Sequence, residues 1–97
     1  MKSLEEIKSI IHQHSNVLAD KYGVAVTAVF GSYVRSEQKS GSDIDLLAEI
    51  LKPISLLELA GAEIYLGEIL GAKVDLVPKR SVREELKKTI LEEAIAL

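Results

Sequence analysis

Apolar residues recur every three or four positions over residues 3–21, which is the spacing of one buried face on an α-helix. Ser3 and Glu6 form an S-x-x-E capping box at the start of this segment, in which each side chain accepts a hydrogen bond from a free backbone N–H group. Gly23 follows the segment and favours a helix stop. The first element is therefore predicted to be an amphipathic helix.

The next apolar stretches are shorter and have the composition of β-strands. Residues 24–30 are rich in β-branched side chains and apolar on both faces, which is typical of a central strand covered on both sides. Residues 43–51 alternate at their start between acidic and apolar positions, as in a strand with one buried face. Residues 72–77 form a third predicted strand, which Pro78 is expected to end.

A second capping box predicts a second long helix. Ser55 and Glu58 open this helix, which is expected to run to Leu70 and to end at the glycine that follows. Gly61 and Gly67 lie inside it, where glycine is unfavourable, so we expect them to permit close packing against the sheet.

A third S-x-x-E box, formed by Ser81 and Glu84, predicts a last helix that runs nearly to Leu97. Its predicted buried stripe consists of Val82, Leu86, Ile90 and Ala94.

The predicted order is helix, strand, short helix, strand, helix, strand, helix, with the short helix beginning at Ser32. This order favours an α/β (α+β) fold with a small mixed sheet of at least three strands flanked by helices. The connection between the first two strands suits either an antiparallel ribbon or a compact crossover, so the strand order stays open. We predict that residues 1–97 form a single domain, because a chain of this length supports one core.

Charge and composition exclude several classes of protein. A net charge of −3 and a pI of about 5.4 argue against direct binding of nucleic acid, which normally requires a basic face. The chain has no cysteine and no apolar stretch near the roughly 20 residues of a membrane helix, so we expect a cytoplasmic domain without disulfides or a membrane span. Apolar residues make up 47% of the chain, which indicates an exposed surface for a partner and leaves homo- and hetero-oligomers open.

Two aspartates at the start of the second strand are the first candidates for chemistry. Asp43 and Asp45 are two positions apart and therefore share one face of the strand, with Ile44 on the other. Adjacent carboxylates repel each other unless they bind a cation or share a proton, and hard oxygen ligands favour Mg²⁺. Asp75, on the third strand, supplies a third carboxylate.

A candidate anion site precedes these acids. Gly31 and Ser32 form a turn at the start of the predicted short helix, where free backbone N–H groups and a hydroxyl group bind anions. Arg35 adds a guanidinium group suited to phosphate. Each feature alone is common, but together with the three aspartates they predict a metal and nucleotide site of the kind that transfers phosphoryl or nucleotidyl groups.

The motif G-S-x10-D-x-D, from Gly31-Ser32 to Asp43 and Asp45, resembles the signature of the DNA polymerase beta superfamily of nucleotidyltransferases. More narrowly, nearly the whole chain is similar to the minimal nucleotidyltransferases, the MNT antitoxins encoded beside HEPN-domain toxins in bacteria and archaea. The resemblance implies that Gly31 and Ser32 hold the nucleotide phosphates, with Arg35 near them. It also implies that the two clustered aspartates bind Mg²⁺.

A third acid completes the metal site of this family and helps to activate the acceptor hydroxyl, and Asp75 in K-V-D-L-V matches it. One position departs from the family pattern. The residue after the arginine is commonly glycine, whereas this chain has Ser36, which affects the expected path of the loop and not the chemistry.

The resemblance implies a protein adenylyltransferase that moves AMP from Mg-ATP to a tyrosine hydroxyl of a HEPN toxin and so acts as an antitoxin. One alternative is a non-catalytic module that masks the toxin, but the complete set of three aspartates favours an enzyme. Another is a small-molecule nucleotidyltransferase, which resembles this core with an added helical domain. The sequence identifies neither the acceptor nor a preference for ATP over another nucleotide.

Overall fold

Four strands form one mixed sheet in the computed structural model, which describes residues 3–31 and 43–97. The strands are β1 (Val24–Phe30), β2 (Ile44–Ile50), β3 (Val74–Pro78) and β4 (Ile95–Ala96), in the spatial order β3-β2-β1-β4. β1 is antiparallel to β2 and to β4, whereas β2 is parallel to β3. The predicted mixed sheet flanked by helices is confirmed, with β1 in an internal position, and the first two strands form an antiparallel pair.

Most of the helices lie where the capping boxes and apolar stripes predict them. They are α1 (Leu4–Gln13), α2 (Ser15–Val17), a π-helix (Leu18–Tyr22), α3 (Leu56–Leu70) and α4 (Glu84–Glu93). The capping boxes at Ser3 and Ser55 are both present with their two reciprocal hydrogen bonds. Within the part of the chain that the structure describes, no helix is long and apolar enough to cross a lipid bilayer.

The first helical segment is interrupted where a continuous helix was predicted. The Nδ1 atom of His14 lies 2.9 Å from the carbonyl oxygen of Ile10, and the hydroxyl of Ser15 donates to the carbonyl of His12 at 2.9 Å. Such local side-chain bonds compete with the regular ladder of a helix. The segment continues as α2 and a π-helix, and Val17 in α2 is 39% exposed.

A β-bulge in β1 explains why this strand looks apolar on both faces. Val26 pairs with Ala48 and Ala28 pairs with Leu47, so Thr27 is the extra residue between them. Because a bulge shifts the alternation of side chains by one position, the faces of the strand exchange at this point. Val24 and Val29 are an odd number of positions apart, yet both are fully buried in the same core.

The core fills one face of the sheet, beneath α1 and α3. Its β2 members are Ile44, Leu46 and Ala48, so Ile44 points away from the aspartates as predicted. Its helical members are Ile7, Ile11, Leu18, Ala62, Leu66 and Leu70. The opposite face of β2 therefore carries Asp45 and Leu47.

The two glycines inside α3 do not pack against the sheet, so that expectation was wrong. A Cβ atom on Gly61 would lie 3.4 Å from Cε1 of Tyr22, in the π-helix. A Cβ atom on Gly67 would lie 3.1 Å from the carbonyl oxygen of Ala72. These glycines allow the π-helix and the turn after α3 to approach closely.

The third predicted capping box does not form. Ser81 lies in a 3₁₀ turn (Lys79–Ser81), and α4 begins at Glu84 with Arg83 as an N-cap residue that makes no side-chain capping bond. The predicted buried stripe is also wrong, because α4 has no buried residue and Leu86 is 49% exposed.

The last helix ends earlier than predicted because the chain returns to the sheet. α4 stops at Glu93, and Ala94 has the extended backbone of a strand (φ −67°, ψ 142°). Ile95–Ala96 then pairs with β1, and the N–H of Leu97 donates to the carbonyl of Thr27 at 3.0 Å. Pairing with β1 gives the backbone N–H and C=O groups of this segment their hydrogen-bond partners. The helical periodicity of the sequence gives no sign of this pairing.

Candidate active site

Two of the three predicted aspartates are neighbours across β2 and β3. The parallel register pairs Asp45 with Asp75, and the N–H of Ile44 donates to the carbonyl of Lys73 at 2.9 Å just before this pair. Neighbouring strands lie about 4.8 Å apart, and paired residues point to the same face. The strand register therefore brings these two carboxylates to one place on the face opposite the core.

Asp43 lies two positions before Asp45, immediately before β2. Asp43 and Asp45 are half-buried, whereas Asp75 is exposed. Among the described residues, no group of three or more acidic or histidine side chains is arranged to hold one ion. A pair of carboxylates nevertheless fits Mg²⁺, because this ion is commonly held by one or two carboxylates together with water and substrate phosphates.

Gly31 lies directly against the carboxylate of Asp45. Phe30 pairs with Asp45, and Gly31 follows it, buried, with a φ of +77°. A Cβ atom at this position would overlap Oδ2 of Asp45 and lie only 3.0 Å from Cγ. The site thus requires glycine for its backbone conformation and also for the space that the Asp45 carboxylate occupies.

The other predicted nucleotide-binding residues lie outside the described part of the chain. Ser32 and Arg35 belong to residues 32–42, as do Ser36 and the predicted short helix. Their roles stay predictions.

Glu63 contacts the strand that carries Asp75, and no pattern in the sequence predicts this contact. Its Oε2 atom on α3 accepts a hydrogen bond of 2.8 Å from the N–H of Leu76, the residue after Asp75. β3 lies at the edge of the sheet, so this N–H has a helix side chain and not a further strand as its acceptor. The two partners belong to different elements, and no local motif in the sequence signals such a bond.

A cleft on the face of the aspartates is likewise not predicted by any sequence pattern. It measures about 250 Å³ and lies between β2 and α4, and Leu47, two residues after Asp45, is one of its lining residues. Its remaining lining residues are Lys79, Arg80, Val82, Lys87, Ile90 and Leu91. Lys79, Arg80 and Lys87 give the lining of this cleft a positive charge, which suits an anionic ligand.

Comparison with protein families and with characterised sequences places the chain among nucleotidyltransferases. Residues 11–97 match the family model described as the nucleotidyltransferase domain. A protein of Methanocaldococcus jannaschii named "Putative protein adenylyltransferase MJ1217" is 50% identical over 93 residues, which cover 96% of this chain and 95% of that protein. "Protein adenylyltransferase MntA" of Thermococcus cleftensis is 44% identical over 95 residues, which cover 98% and 96% of the two chains.

Solved structures agree with this assignment. A structure described as a "putative minimal nucleotidyltransferase" has a TM-score of 0.80 and 32% identity, and the match covers 99% of this chain and 97% of that one. A chain from the complex of tri-AMPylated Shewanella oneidensis HEPN toxin with MNT antitoxin has a TM-score of 0.65 and 20% identity, with 93% and 70% covered. At that lower identity the likeness is one of fold.

Proposed function

This chain belongs to the nucleotidyltransferase domain family, and we propose that it transfers AMP from ATP to a tyrosine hydroxyl of a partner HEPN-domain toxin and acts as its antitoxin. Relatives that match nearly the whole chain carry the name protein adenylyltransferase. The fold is also that of an antitoxin chain found with an AMPylated toxin. The observation that carries the proposal is the pairing of Asp45 with Asp75 beside Gly31, because a module that only masks a partner does not require it.

In the proposed mechanism the aspartates form the metal site. Asp45 and Asp75, with Asp43 beside them, would hold Mg²⁺, and bound Mg²⁺ would neutralise charge on the α-phosphate and on the leaving pyrophosphate. Gly31 and Ser32 would bind the outer phosphates through backbone N–H groups and the serine hydroxyl, with Arg35 as an additional charge-assisted donor.

Asp75 is the aspartate best placed for the acceptor. It is exposed at the edge of the sheet, whereas Asp45 is half-buried against Gly31, so a side chain from another protein reaches Asp75 more readily. The tyrosine oxygen attacks the α-phosphorus, and an oxygen–phosphorus bond forms. The bond from the α-phosphorus to the bridging oxygen breaks, and pyrophosphate leaves with that electron pair. The carboxylate of Asp75 receives the phenolic proton.

Labelled ATP provides the test. We expect the wild-type chain with Mg²⁺ to transfer labelled AMP to the HEPN-domain protein encoded beside it, and mass spectrometry to locate the label on tyrosine. Asp43→Asn and Asp45→Asn should abolish transfer with the fold intact, because they remove metal ligands and not core residues. Asp20→Asn, a change at an exposed aspartate of the π-helix, is the matched control and should retain activity.

The absence of label on a folded partner would contradict the proposed function. Transfer by Asp45→Asn at nearly the wild-type rate would instead contradict the metal site.

A further inference from the structure

α3 presents large apolar side chains on the side opposite the core. Leu57 and Ile64 are 83% and 63% exposed, and they lie two helical turns apart on one face. Ala62 and Leu66, which are fully buried, lie on the opposite side of the same helix. Leu56 at the first helical position is 86% exposed. We define the α3 outer face as Leu56, Leu57, Ala60 and Ile64.

This surface differs from the scattered apolar residues of an ordinary protein surface. Single exposed leucines are common, whereas several large apolar residues together on one helix mark a site of protein interaction. Ala60 lies between Leu57 and Ile64 and is also exposed, so its small side chain leaves room for an apolar group between two larger ones. No described residue covers these leucines.

The charge of α3 indicates what kind of partner binds there. The helix contains Glu58, Glu63 and Glu68 and no lysine or arginine. Glu68, one turn after Ile64, is exposed at the C-terminal end of the outer face. The carboxylates of Glu58 and Glu63 accept hydrogen bonds from the N–H groups of Ser55 and Leu76. Packing of α3 against α3 of a second copy would bring like charges together, which is unfavourable. An apolar segment flanked by lysine or arginine complements the surface.

We propose that the α3 outer face is the docking surface for the acceptor protein, which it binds through an apolar segment flanked by basic residues. This inference rests on the proposed function, because it assumes a protein acceptor. α3 lies against the core face of the sheet, whereas Asp45 and Asp75 lie on the other face. Binding of the acceptor and chemistry therefore use separate surfaces.

The two surfaces are nevertheless connected at one edge of the sheet. The Glu63 carboxylate on α3 bonds the backbone of β3 immediately after Asp75, so the helix runs beside the strand that carries the exposed aspartate. An acceptor bound to α3 is thus held next to the edge at which Asp75 is exposed. Docking of this kind raises the local concentration of the acceptor hydroxyl without contributing to the chemical step.

The test compares two surface variants of the full chain. Leu57→Asp/Ile64→Asp should weaken binding of the HEPN-domain protein encoded beside this chain by at least about tenfold in Kd, measured by calorimetry, because it places charge in an apolar interface. Leu86→Asp changes a leucine of similar chemistry on α4, which is 49% exposed, and should bind like the wild type. Both variants should bind AMP-PNP with unchanged affinity, and only the α3 variant should raise the KM for the protein acceptor.

A second variant, Glu68→Lys, tests the charge argument, and it also tests the docking surface if Leu57→Asp/Ile64→Asp does not fold. Glu68→Lys should weaken binding at low salt, and the loss should diminish at high salt because surface charges are screened. Leu57→Ala/Ile64→Ala is the milder apolar variant.

Three outcomes would overturn the docking surface. If the wild type transfers AMP to the partner but the α3 variants bind it as tightly as Leu86→Asp does, the docking surface is wrong and the proposed function stands. If the wild type is a dimer in sedimentation and the α3 double variant is a monomer, a second copy covers the face. If the wild type neither binds nor modifies the partner, both proposals are wrong.

Discussion

At the scale of single residues, Gly31 meets two independent requirements. Its φ of +77° is a conformation that side chains with a Cβ atom rarely adopt. The space where a Cβ atom would stand is also filled by the carboxylate of Asp45. The same glycine therefore shapes the turn and sets the position of an acid.

We expect Gly31→Ala to abolish AMP transfer as completely as Asp45→Asn does, because the added methyl group displaces the Asp45 carboxylate. The backbone strain should also lower the free energy of unfolding by about 1 kcal/mol or more. Gly71→Ala is the matched control, since Gly71 has a φ of +68° but lies at the end of α3. It should be destabilised yet retain transfer. Urea denaturation and the labelled-ATP assay measure the two effects, and an active Gly31→Ala would contradict the placement of Asp45.

Ser32→Ala and Arg35→Ala should reduce use of the nucleotide more gently than loss of an aspartate. A neutral hydrogen bond contributes about 1 kcal/mol and a charge-assisted one roughly 1.5–3, which corresponds to losses of about five- to a hundredfold. Steady-state kinetics with varied ATP check this expectation. If Arg35→Ala leaves both rate and affinity unchanged, Arg35 is a surface charge and not a phosphate ligand.

At the scale of elements, local sequence predicts an element only where long-range contacts agree with it. The S-x-x-E boxes at Ser3 and Ser55 form as predicted, but the same pattern at Ser81 lies in a 3₁₀ turn. The end of α4 was likewise unpredictable, because β4 is defined by pairing with β1 and not by its own periodicity. The strand pattern predicted which face carries Asp45, and the helix pattern gave no sign that Glu63 holds β3.

This difference between identical motifs gives a direct test. Ser55→Ala should lower the free energy of unfolding by about 1 kcal/mol, since the Ser55 hydroxyl accepts a hydrogen bond from the N–H of Glu58 at 3.1 Å. Ser81→Ala should have almost no effect, because Ser81 does not cap α4. Chemical denaturation of both variants measures the difference. Equal losses would mean that Ser81 caps the last helix in solution.

At the scale of the whole molecule, the sheet separates the core from the chemistry. One face carries the buried side chains beneath α1 and α3, and the other carries Asp45, Asp75 and the basic cleft under α4. The alternation of residues in β2 was enough to predict this division. The neighbouring positions of Asp45 and Asp75 were not predictable from pattern alone, because they depend on the strand order β3-β2-β1-β4.

We predict that Mg²⁺ alone stabilises the protein. Only the folded state holds Asp45 beside Asp75, so an ion that binds both carboxylates favours that state. At a concentration about fivefold above the dissociation constant, the gain is RT ln 6, or roughly 1 kcal/mol. For a domain of this size that raises the Tm by roughly 4–8 °C. Asp75→Asn should respond less than Asp20→Asn in thermal melts with EDTA and with millimolar Mg²⁺. Identical responses would show that Asp75 does not contribute to the metal site.

The pairing of β4 with β1 also sets an order of folding. Ala28 and Ala96 are partners although most of the chain lies between them, and closing so long a loop loses conformational entropy before any contact stabilises it. β1, β2 and β3 follow one another more closely along the chain. The sheet is therefore expected to assemble first from β1, β2 and β3, with β4 the last strand to join and the first to open.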